Sequence, residues 1–207
     1  MRDIEFPVND PIVQLFGKLY ETCRLSNWDY HGTAEEKRRQ REIVDWCGQF
    51  NLEMAAHVQL GRNVIFVGPS GTGKDRLAVS LSRCALANQF TVSRYTGAEM
   101  WALTRDVING HESEAELLRR FCEPDVLVIS DPLLPGQPLS DWQVSWFYRI
   151  TNSRGDKCKS IWCTLNVAGK EEAEQRLSPQ CWGRLNRDAK VVKCFWSSYR
   201  KPAEVVG

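Results

Sequence analysis

The chain has 207 residues, of which 43% are hydrophobic and 26% are charged, a composition typical of a globular protein with one main domain. Its formal net charge of +1 excludes a global basic field, so any nucleic-acid binding needs a local patch. There is no N-terminal leader pattern and no run of about 18 apolar residues, which predicts a cytoplasmic protein without a membrane span.

The first third of the chain predicts helices. Apolar residues at helical spacing indicate a short helix over 9–25 and, after a turn-rich break, a long helix over 33–58. Thr33 and Glu36 have the spacing of a capping box at the start of the long helix. Its charged cluster, EEKRRQRE, is most simply a solvent-exposed helical face, with a DNA or partner contact as the alternative.

From residue 63 onward, short apolar strands alternate with helices. We expect strands over 63–68, 91–96, 125–130, 160–166 and 190–196. We expect helices over 74–90, 97–110, 113–124, 140–157 and 170–186, the last interrupted near Pro179. The run DVLVIS is continuously apolar, as in a central parallel strand that is buried on both faces. This alternation predicts an α/β fold with a mostly parallel sheet flanked by helices.

The eight cysteines form no CxxC pair, and the three histidines are scattered, so no zinc site is expected. Most of the cysteines lie in apolar stretches such as SIWCTL. We therefore expect buried, reduced thiols of the kind found in cytosolic proteins.

The stretch GPSGTGKD, residues 68–75, has the form of a phosphate-binding loop between an apolar strand and an amphipathic helix. In such a loop the backbone N–H groups surround a phosphate, the helix N-terminus adds partial positive charge, and the lysine binds the terminal phosphates. The predicted nucleotide-binding residues are Gly68, Pro69, Ser70, Gly71, Thr72, Gly73, Lys74 and Asp75.

A loop of this type works with a neighbouring strand whose end supplies an acid for Mg²⁺. The stretch DVLVISDP has that pattern and ends in Ser130 and Asp131. The position of Ser130 usually holds the metal-binding aspartate, and the next usually holds an acid that polarises the attacking water. Asp75 is a second departure, because a serine or threonine that binds the metal usually follows the lysine.

Several stretches, in this order and spacing, resemble the DnaC/IstB family of AAA+ ATPases, which are bacterial helicase loaders and transposition ATPases. They are GRNVIFVGPSGTGKDRLAVSLSR, RYTGAEMWALTRD, EPDVLVISDP, SIWCTLN, RLSPQCWGRLN and CFWSSYR, over roughly residues 27–200. The resemblance implies a P-loop AAA+ ATPase domain over 27–207 with little or no C-terminal lid, after a short N-terminal helical segment over 1–26. It also implies ATP and Mg²⁺ as cofactors.

The resemblance implies roles for further residues. Asn166 would orient water or sense the γ-phosphate, and Arg184 would be an arginine finger that reaches the nucleotide of a neighbouring subunit. Arg187 is an alternative finger. The candidate catalytic residues are therefore Asp131, Asn166 and Arg184. A finger that acts in trans requires an oligomer, so the active form is expected to be a homo-oligomer.

The departures at Asp75 and Ser130 leave three interpretations open. In the first, carboxylate and hydroxyl have exchanged places, and Asp75, Ser130 and Asp131 hold the metal with the total ligand charge conserved. In the second, Asp131 is the metal-binding acid and no catalytic base is left. In the third, the site binds nucleotide weakly or not at all, because Asp75 repels phosphate. ATP hydrolysis therefore stays open.

The family's work on DNA predicts a helicase loader in DNA replication, with an IstB-like transposition ATPase or a non-hydrolysing adaptor for a protein partner as alternatives. The expected partner is a replicative helicase or a transposase, and the N-terminal helix either docks on it or packs on its own domain. Binding of single-stranded DNA would need basic and aromatic side chains. The candidates are Arg94, Tyr95, Trp101, Arg105, Tyr199, Arg200 and Lys201.

Overall fold

A computed structural model describes residues 10–200 and contains a five-stranded parallel sheet with the order β2-β3-β4-β1-β5. The strands are β1 Val64–Val67, β2 Val92–Thr96, β3 Val126–Ser130, β4 Ser160–Leu165 and β5 Lys190–Lys193. The helices are α1 Pro11–Phe16, α2 Ala34–Leu52, α3 Met54–Gln59, α4 Lys74–Ala87, α5 Gly97–Ile108, α6 Glu114–Cys122, α7 Asp141–Asp156, α8 Lys170–Leu177 and α9 Pro179–Leu185. The predicted α/β fold is confirmed.

The three central strands β3, β4 and β1 are buried along their whole length, because helices cover both faces of the sheet. Phe66, Val128 and Trp162 face one hydrophobic cluster together with α1, α2 and α4. Residues that alternate with them, such as Ile65 and Ile129, face a second cluster formed with α5 to α9. Continuous apolar runs, rather than alternating ones, are what a strand buried on both faces requires.

The N-terminal segment differs from the single helix predicted over 9–25, whose first residue lies outside the described part of the chain. Helix α1 ends at Gly17, which has φ of 89°, and short 3₁₀ turns follow at Lys18–Tyr20 and Leu25–Asn27. Asp10 pairs with Arg83 of α4 at 3.1 Å, and the apolar side of α1 is buried in the core. This segment packs on the body of its own chain.

The predicted long helix over 33–58 is divided. The Thr33 hydroxyl accepts a hydrogen bond from Glu36 N at 3.2 Å, and Glu36 Oε2 accepts one from Thr33 N at 2.7 Å, so the predicted capping box is confirmed. The helix stops at Glu53 and α3 follows. On the charged face Arg38 pairs with exposed Glu42, as expected for a solvent-exposed helix surface.

Two further boundaries of helices and strands lie in the C-terminal part of the chain. Helices α8 and α9 are separated at Ser178, with φ of 76°, which confirms the break expected near Pro179. Strand β5 ends at Lys193, three residues before the predicted end, because the chain then turns toward the phosphate loop and the Trp196 indole bonds there.

All eight cysteines are free and six of them are buried, in agreement with the expected reduced thiols. Among residues 10–200, none of the helices combines the length and apolar character needed to cross a bilayer.

Candidate nucleotide site

The loop of residues 68–73 joins β1 to α4 at the carboxyl edge of the sheet. Gly73 caps α4 with φ of 85°, a left-handed conformation that favours glycine. At Gly68, a Cβ would collide with the carbonyl oxygen of Cys194. The glycines therefore permit a tight loop whose backbone lies close to its neighbours, as a phosphate cradle requires.

Lys74, the first residue of α4, is only 6% exposed. Its ammonium group donates to the carbonyl oxygens of Gly68 at 2.9 Å and Pro69 at 2.7 Å, and to Asn166 Oδ1 at 2.7 Å. Burial lowers the pKa of Lys74, and the nearby carboxylates of Asp75 and Asp131 oppose that shift. The lysine is held inside the loop, where a phosphate oxygen can replace a carbonyl as its acceptor.

A closed set of contacts, here called the carboxylate ring, joins Lys74 to the ends of β3 and β4. Asn166 accepts from Lys74 through Oδ1 and donates through Nδ2 to Asp131 Oδ2. The Asp131 backbone N donates to Thr164 Oγ1 at 3.2 Å, and the Thr164 hydroxyl donates to Asp75 Oδ1 at 3.0 Å. Asp75 follows Lys74 in α4 and completes the ring.

Two oxygen atoms beside this ring have no hydrogen-bond partner among the described residues. They are Ser130 Oγ, on a side chain that is 4% exposed, and Asp131 Oδ1. Asp131 itself adopts φ of 52°, an uncommon conformation for a residue with a side chain and one frequent at functional sites. Burial raises the pKa of Asp131, against the effect of the hydrogen bond from Asn166.

The residues present fit a small, hard divalent cation. Carboxylate and hydroxyl oxygens are what Mg²⁺ prefers, and buried oxygens without partners are costly unless something binds them. Within residues 10–200 there is no group of three or more His, Cys, Asp or Glu side chains suited to a metal. Asp75 and Asp131 alone supply charge, which suits Mg²⁺, because that ion usually keeps waters and phosphate oxygens as its other ligands.

A cavity of about 500 Å³ opens from the ring, lined by loop residues together with Lys74, Asp75, Asp131, Thr164 and Asn166. That volume suits a nucleotide-sized ligand. Its outer walls come from residues that were not predicted to belong to this site: Leu19, Tyr20, Cys23, Arg76, Tyr199 and Arg200.

The C-terminal segment closes over the loop. Tyr199 N donates to Gly71 O at 2.9 Å, and the Trp196 indole donates to Thr72 O at 3.0 Å. These bonds satisfy two loop carbonyls and bring Arg200 to the cavity.

Arg184 lies outside this cavity in its own chain. It is on α9, half-buried, with its guanidinium 5.8 Å from the centre of the Tyr148 ring. Arg187 is exposed. The fold thus brings together every predicted site residue of the loop and of the strand ends, but neither arginine.

Of the three aromatic residues predicted as single-stranded DNA platforms, Trp101 is ruled out by its burial. Trp101 is 1% exposed, and its indole donates to Pro132 O at 2.8 Å. Tyr95 packs edge-on against Phe121, and the Tyr199 hydroxyl bonds to Asp29 O at 2.5 Å. Tyr95 and Tyr199 are half-buried in these contacts, and Tyr199 also lines the cavity beside the phosphate loop.

The basic candidates have different environments. Arg94 pairs with Glu99 at 3.6 Å and Arg105 is exposed, whereas Lys201 lies outside the described residues. Binding of single-stranded DNA stays a prediction without an assigned surface.

Thr164 is a member of the carboxylate ring that the sequence analysis did not predict. A usable signal was present, since Thr164 is two residues before Asn166 and side chains two apart share one face of a strand. Thr164 was not recognised because it lies in the apolar run SIWCTL, which indicated only a buried strand.

The comparisons with known proteins concern the family and the fold. The sequence profile of the family described as "IstB-like ATP binding protein" matches residues 16–204. The replicative helicase loader DnaC of Buchnera aphidicola is 24% identical over 198 residues, covering 89% of this chain and 72% of that protein.

Solved structures show the same fold. A crystal structure of the DnaC helicase loader superposes with a TM-score of 0.71 at 18% identity, covering 85% of this chain and 98% of that one. The replication initiator DnaA bound to AMPPCP and single-stranded DNA superposes with a TM-score of 0.65 at 16% identity, over 85% of this chain and 50% of that one. The P-loop, the parallel sheet and the family profile together show that the chain belongs to the IstB-like ATP-binding proteins, within the DnaC/IstB type of AAA+ ATPase.

Proposed function

We propose that this protein binds Mg²⁺–ATP at the phosphate loop and acts as a helicase loader in DNA replication. The observation that carries the proposal is the carboxylate ring, which brings the loop lysine, a strand-end acid and a sensor asparagine to one cavity. The similarity to a replicative helicase loader supports the replication role. The partner would then be a replicative helicase.

We propose further that the metal site has exchanged ligands. Asp75 would supply the carboxylate from the loop and Ser130 the hydroxyl from the strand, with Asp131 as the second acid. The partnerless Ser130 Oγ and Asp131 Oδ1 support this interpretation, because an oxygen ligand without a protein partner is available to a cation. Mg²⁺, when bound, would neutralise charge that develops on the phosphates.

The protein's own residues then have distinct roles. Lys74 would pair with terminal phosphate oxygens. Asn166, which contacts both Lys74 and Asp131, would orient a water beside the Asp131 carboxylate. Arg184 would act on the nucleotide of a neighbouring subunit in a homo-oligomer, because it lies outside the cavity of its own chain.

Nucleotide binding is tested by calorimetric titration of a non-hydrolysable ATP analogue with Mg²⁺. Lys74→Ala should weaken affinity at least about tenfold, because the charge-assisted contact to phosphate is lost. Lys190→Ala, at an exposed position of β5, is the matched control and should bind as the wild type does. Equal affinity of the wild type and Lys74→Ala would contradict the proposal.

Turnover separates a loader ATPase from an adaptor. Phosphate release is measured with and without single-stranded DNA and with a replicative helicase. A wild-type rate equal to that of Lys74→Ala under all conditions would favour a non-hydrolysing adaptor that binds a protein partner. The match to the IstB-like profile makes a transposition ATPase the second candidate, and stimulation by a transposase rather than a helicase would favour it.

The exchange of ligands is tested by a double-mutant cycle on Mg²⁺–ATP affinity. Asp75→Thr and Ser130→Asp should each weaken binding, whereas the double variant restores the usual arrangement and should recover most of the affinity. Strictly additive losses would show that the two positions do not share a metal. In that case Asp131 alone would be the metal-binding acid, or the site would bind nucleotide weakly.

A further inference from the structure

We propose that Thr164 is a positioning residue, which holds the Asp75 carboxylate in the orientation needed to bind the metal. The proposal rests on the proposed Mg²⁺–ATP site and adds to it a residue outside the loop and outside the acidic strand end. Its basis is the contact between the end of β4 and the first turn of α4.

The Thr164 hydroxyl is fixed by two hydrogen bonds. It donates to Asp75 Oδ1 at 3.0 Å and accepts at 3.2 Å from the Asp131 backbone N–H, which also donates to the Thr164 carbonyl oxygen at 3.0 Å; the residue is 2% exposed. A hydroxyl that donates one hydrogen bond and accepts another is held in one orientation, so the position of the Asp75 oxygen that it contacts is also fixed.

The register of the sheet determines which residues flank Thr164 on the neighbouring strands. It is the partner of Phe66 on β1 and of Ser130 on β3, so it lies between the strand that enters the phosphate loop and the strand that carries the partnerless Ser130 Oγ. The same position, two residues before Asn166, lets the end of β4 contact both Lys74 and Asp75.

The contact leaves one carboxylate oxygen of Asp75 for the cation. Among the described residues, Asp75 Oδ1 is engaged by Thr164, and Oδ2 accepts no hydrogen bond. Carboxylates that ligate metals are commonly oriented in this way by a hydrogen bond from a second residue, and removal of such a bond weakens metal binding by about 10–100-fold. A serine or threonine in place of Asp75 would have no carboxylate to orient, so this role belongs to the altered loop.

The test measures Mn²⁺ affinity by electron paramagnetic resonance of the free ion, with the protein saturated by a non-hydrolysable ATP analogue. Thr164→Val removes the hydroxyl at nearly constant shape and should weaken Mn²⁺ binding about tenfold. Thr164→Ser keeps the hydroxyl and should stay within about twofold of wild type. Thr151→Val is the matched control, because Thr151 is 3% exposed and its hydroxyl bonds only within α7.

A double-mutant cycle with Asp75 distinguishes a positioning role of Thr164 from a merely structural one. In an Asp75→Ala background, Thr164→Val should change Mn²⁺ affinity by less than about twofold, whereas a structural defect would persist. Nucleotide affinity without metal should be the same in wild type and Thr164→Val. If Thr164→Val does not fold, as judged by urea unfolding, Thr164→Ala takes its place in the same cycle.

The outcomes distinguish failure of the proposed function from failure of the role of Thr164. A wild type that binds neither analogue nor Mn²⁺ would overturn the proposed function and the role of Thr164 with it. A wild type that binds both, with Mn²⁺ affinity unchanged in Thr164→Val or losses that are additive with Asp75→Ala, would overturn the role of Thr164 alone.

Discussion

Gly73 shows at the scale of one residue how backbone conformation makes the nucleotide site. Its φ of 85° starts α4, and a Cβ there would lie 2.9 Å from the Trp28 ring. Both facts oppose any side chain, because the conformation is strained for other residues and the neighbour is a rigid ring. The position thus links the order of the phosphate loop to the packing of the N-terminal segment.

Gly73→Ala should therefore lower the free energy of unfolding by about 1–3 kcal/mol and abolish measurable binding of Mg²⁺–ATP. Urea unfolding and calorimetric titration measure the two effects. Gly155→Ala is the control: it lies in α7 with nothing within 4 Å of the added Cβ, so it should raise stability by about 0.5 kcal/mol. Unchanged binding in Gly73→Ala would contradict the need for glycine here.

Trp196 and Trp182 form a natural pair of test residues for the closure of the C-terminal segment. Both are buried, but the Trp196 indole donates to Thr72 O at 3.0 Å, whereas the Trp182 indole N–H has no partner among the described residues. Trp196→Phe should lower the free energy of unfolding by about 1–2 kcal/mol more than Trp182→Phe, because it leaves a loop carbonyl without its donor. Nucleotide affinity should fall a few-fold only in the former, and equal behaviour of the two variants would show that the bond does not order the loop.

At the scale of elements, Asp125 joins the amino ends of three neighbouring strands. Its carboxylate accepts from Thr91 N at 2.9 Å and Thr91 Oγ1 at 2.8 Å, just before β2, and from Lys159 Nζ at 2.5 Å, just before β4. Burial would raise the pKa of Asp125, but the bonds from Lys159 and Thr91 outweigh it and lower the pKa to about 2. The carboxylate is therefore stabilised in the folded state.

Because the folded pKa lies below the unfolded value of about 3.9, this stabilisation is present above about pH 4 and disappears as the pH falls toward 2. Asp125→Asn should lower the free energy of unfolding at pH 7 by about 1–2 kcal/mol, after allowance for partial exposure, with the difference vanishing near pH 2. Chemical unfolding across pH 2–7 measures it. Asp156→Asn, at an exposed position of α7, should show no such dependence, and a difference that persists at pH 2 would contradict the linkage.

The elements also show which features were predictable. The strands β1, β3 and β4 were correctly predicted because burial on both faces requires continuous apolar runs, a local property of the sequence. The division at Glu53 and the end of β5 at Lys193 were not, because they depend on contacts made elsewhere in the fold. The loop and Asp131 were predicted from sequence motifs and Asn166 from the family resemblance. The walls of the cavity at Leu19 and Arg200 required the packed structure, and Thr164 was not recognised within its apolar run.

At the scale of the whole molecule, the position of Arg184 outside its own cavity makes assembly the central question. If the residue acts in trans, Arg184→Ala should lower ATP turnover at least about 100-fold with nucleotide affinity nearly unchanged. Arg187→Ala, three residues further on, is the matched control, and it would show the greater loss if the finger were Arg187 instead.

Mixing two inactive variants tests this assembly directly. Lys74→Ala subunits would lack the proposed phosphate contact but retain Arg184, and Arg184→Ala subunits would retain the proposed phosphate contact. In a mixed oligomer, some interfaces join an intact Lys74 to an intact Arg184, so phosphate release should reappear, with a maximum near equal amounts of the two variants. No recovery at any ratio, under conditions in which the wild type is active and its rate per subunit rises with protein concentration, would show that Arg184 does not act across an interface.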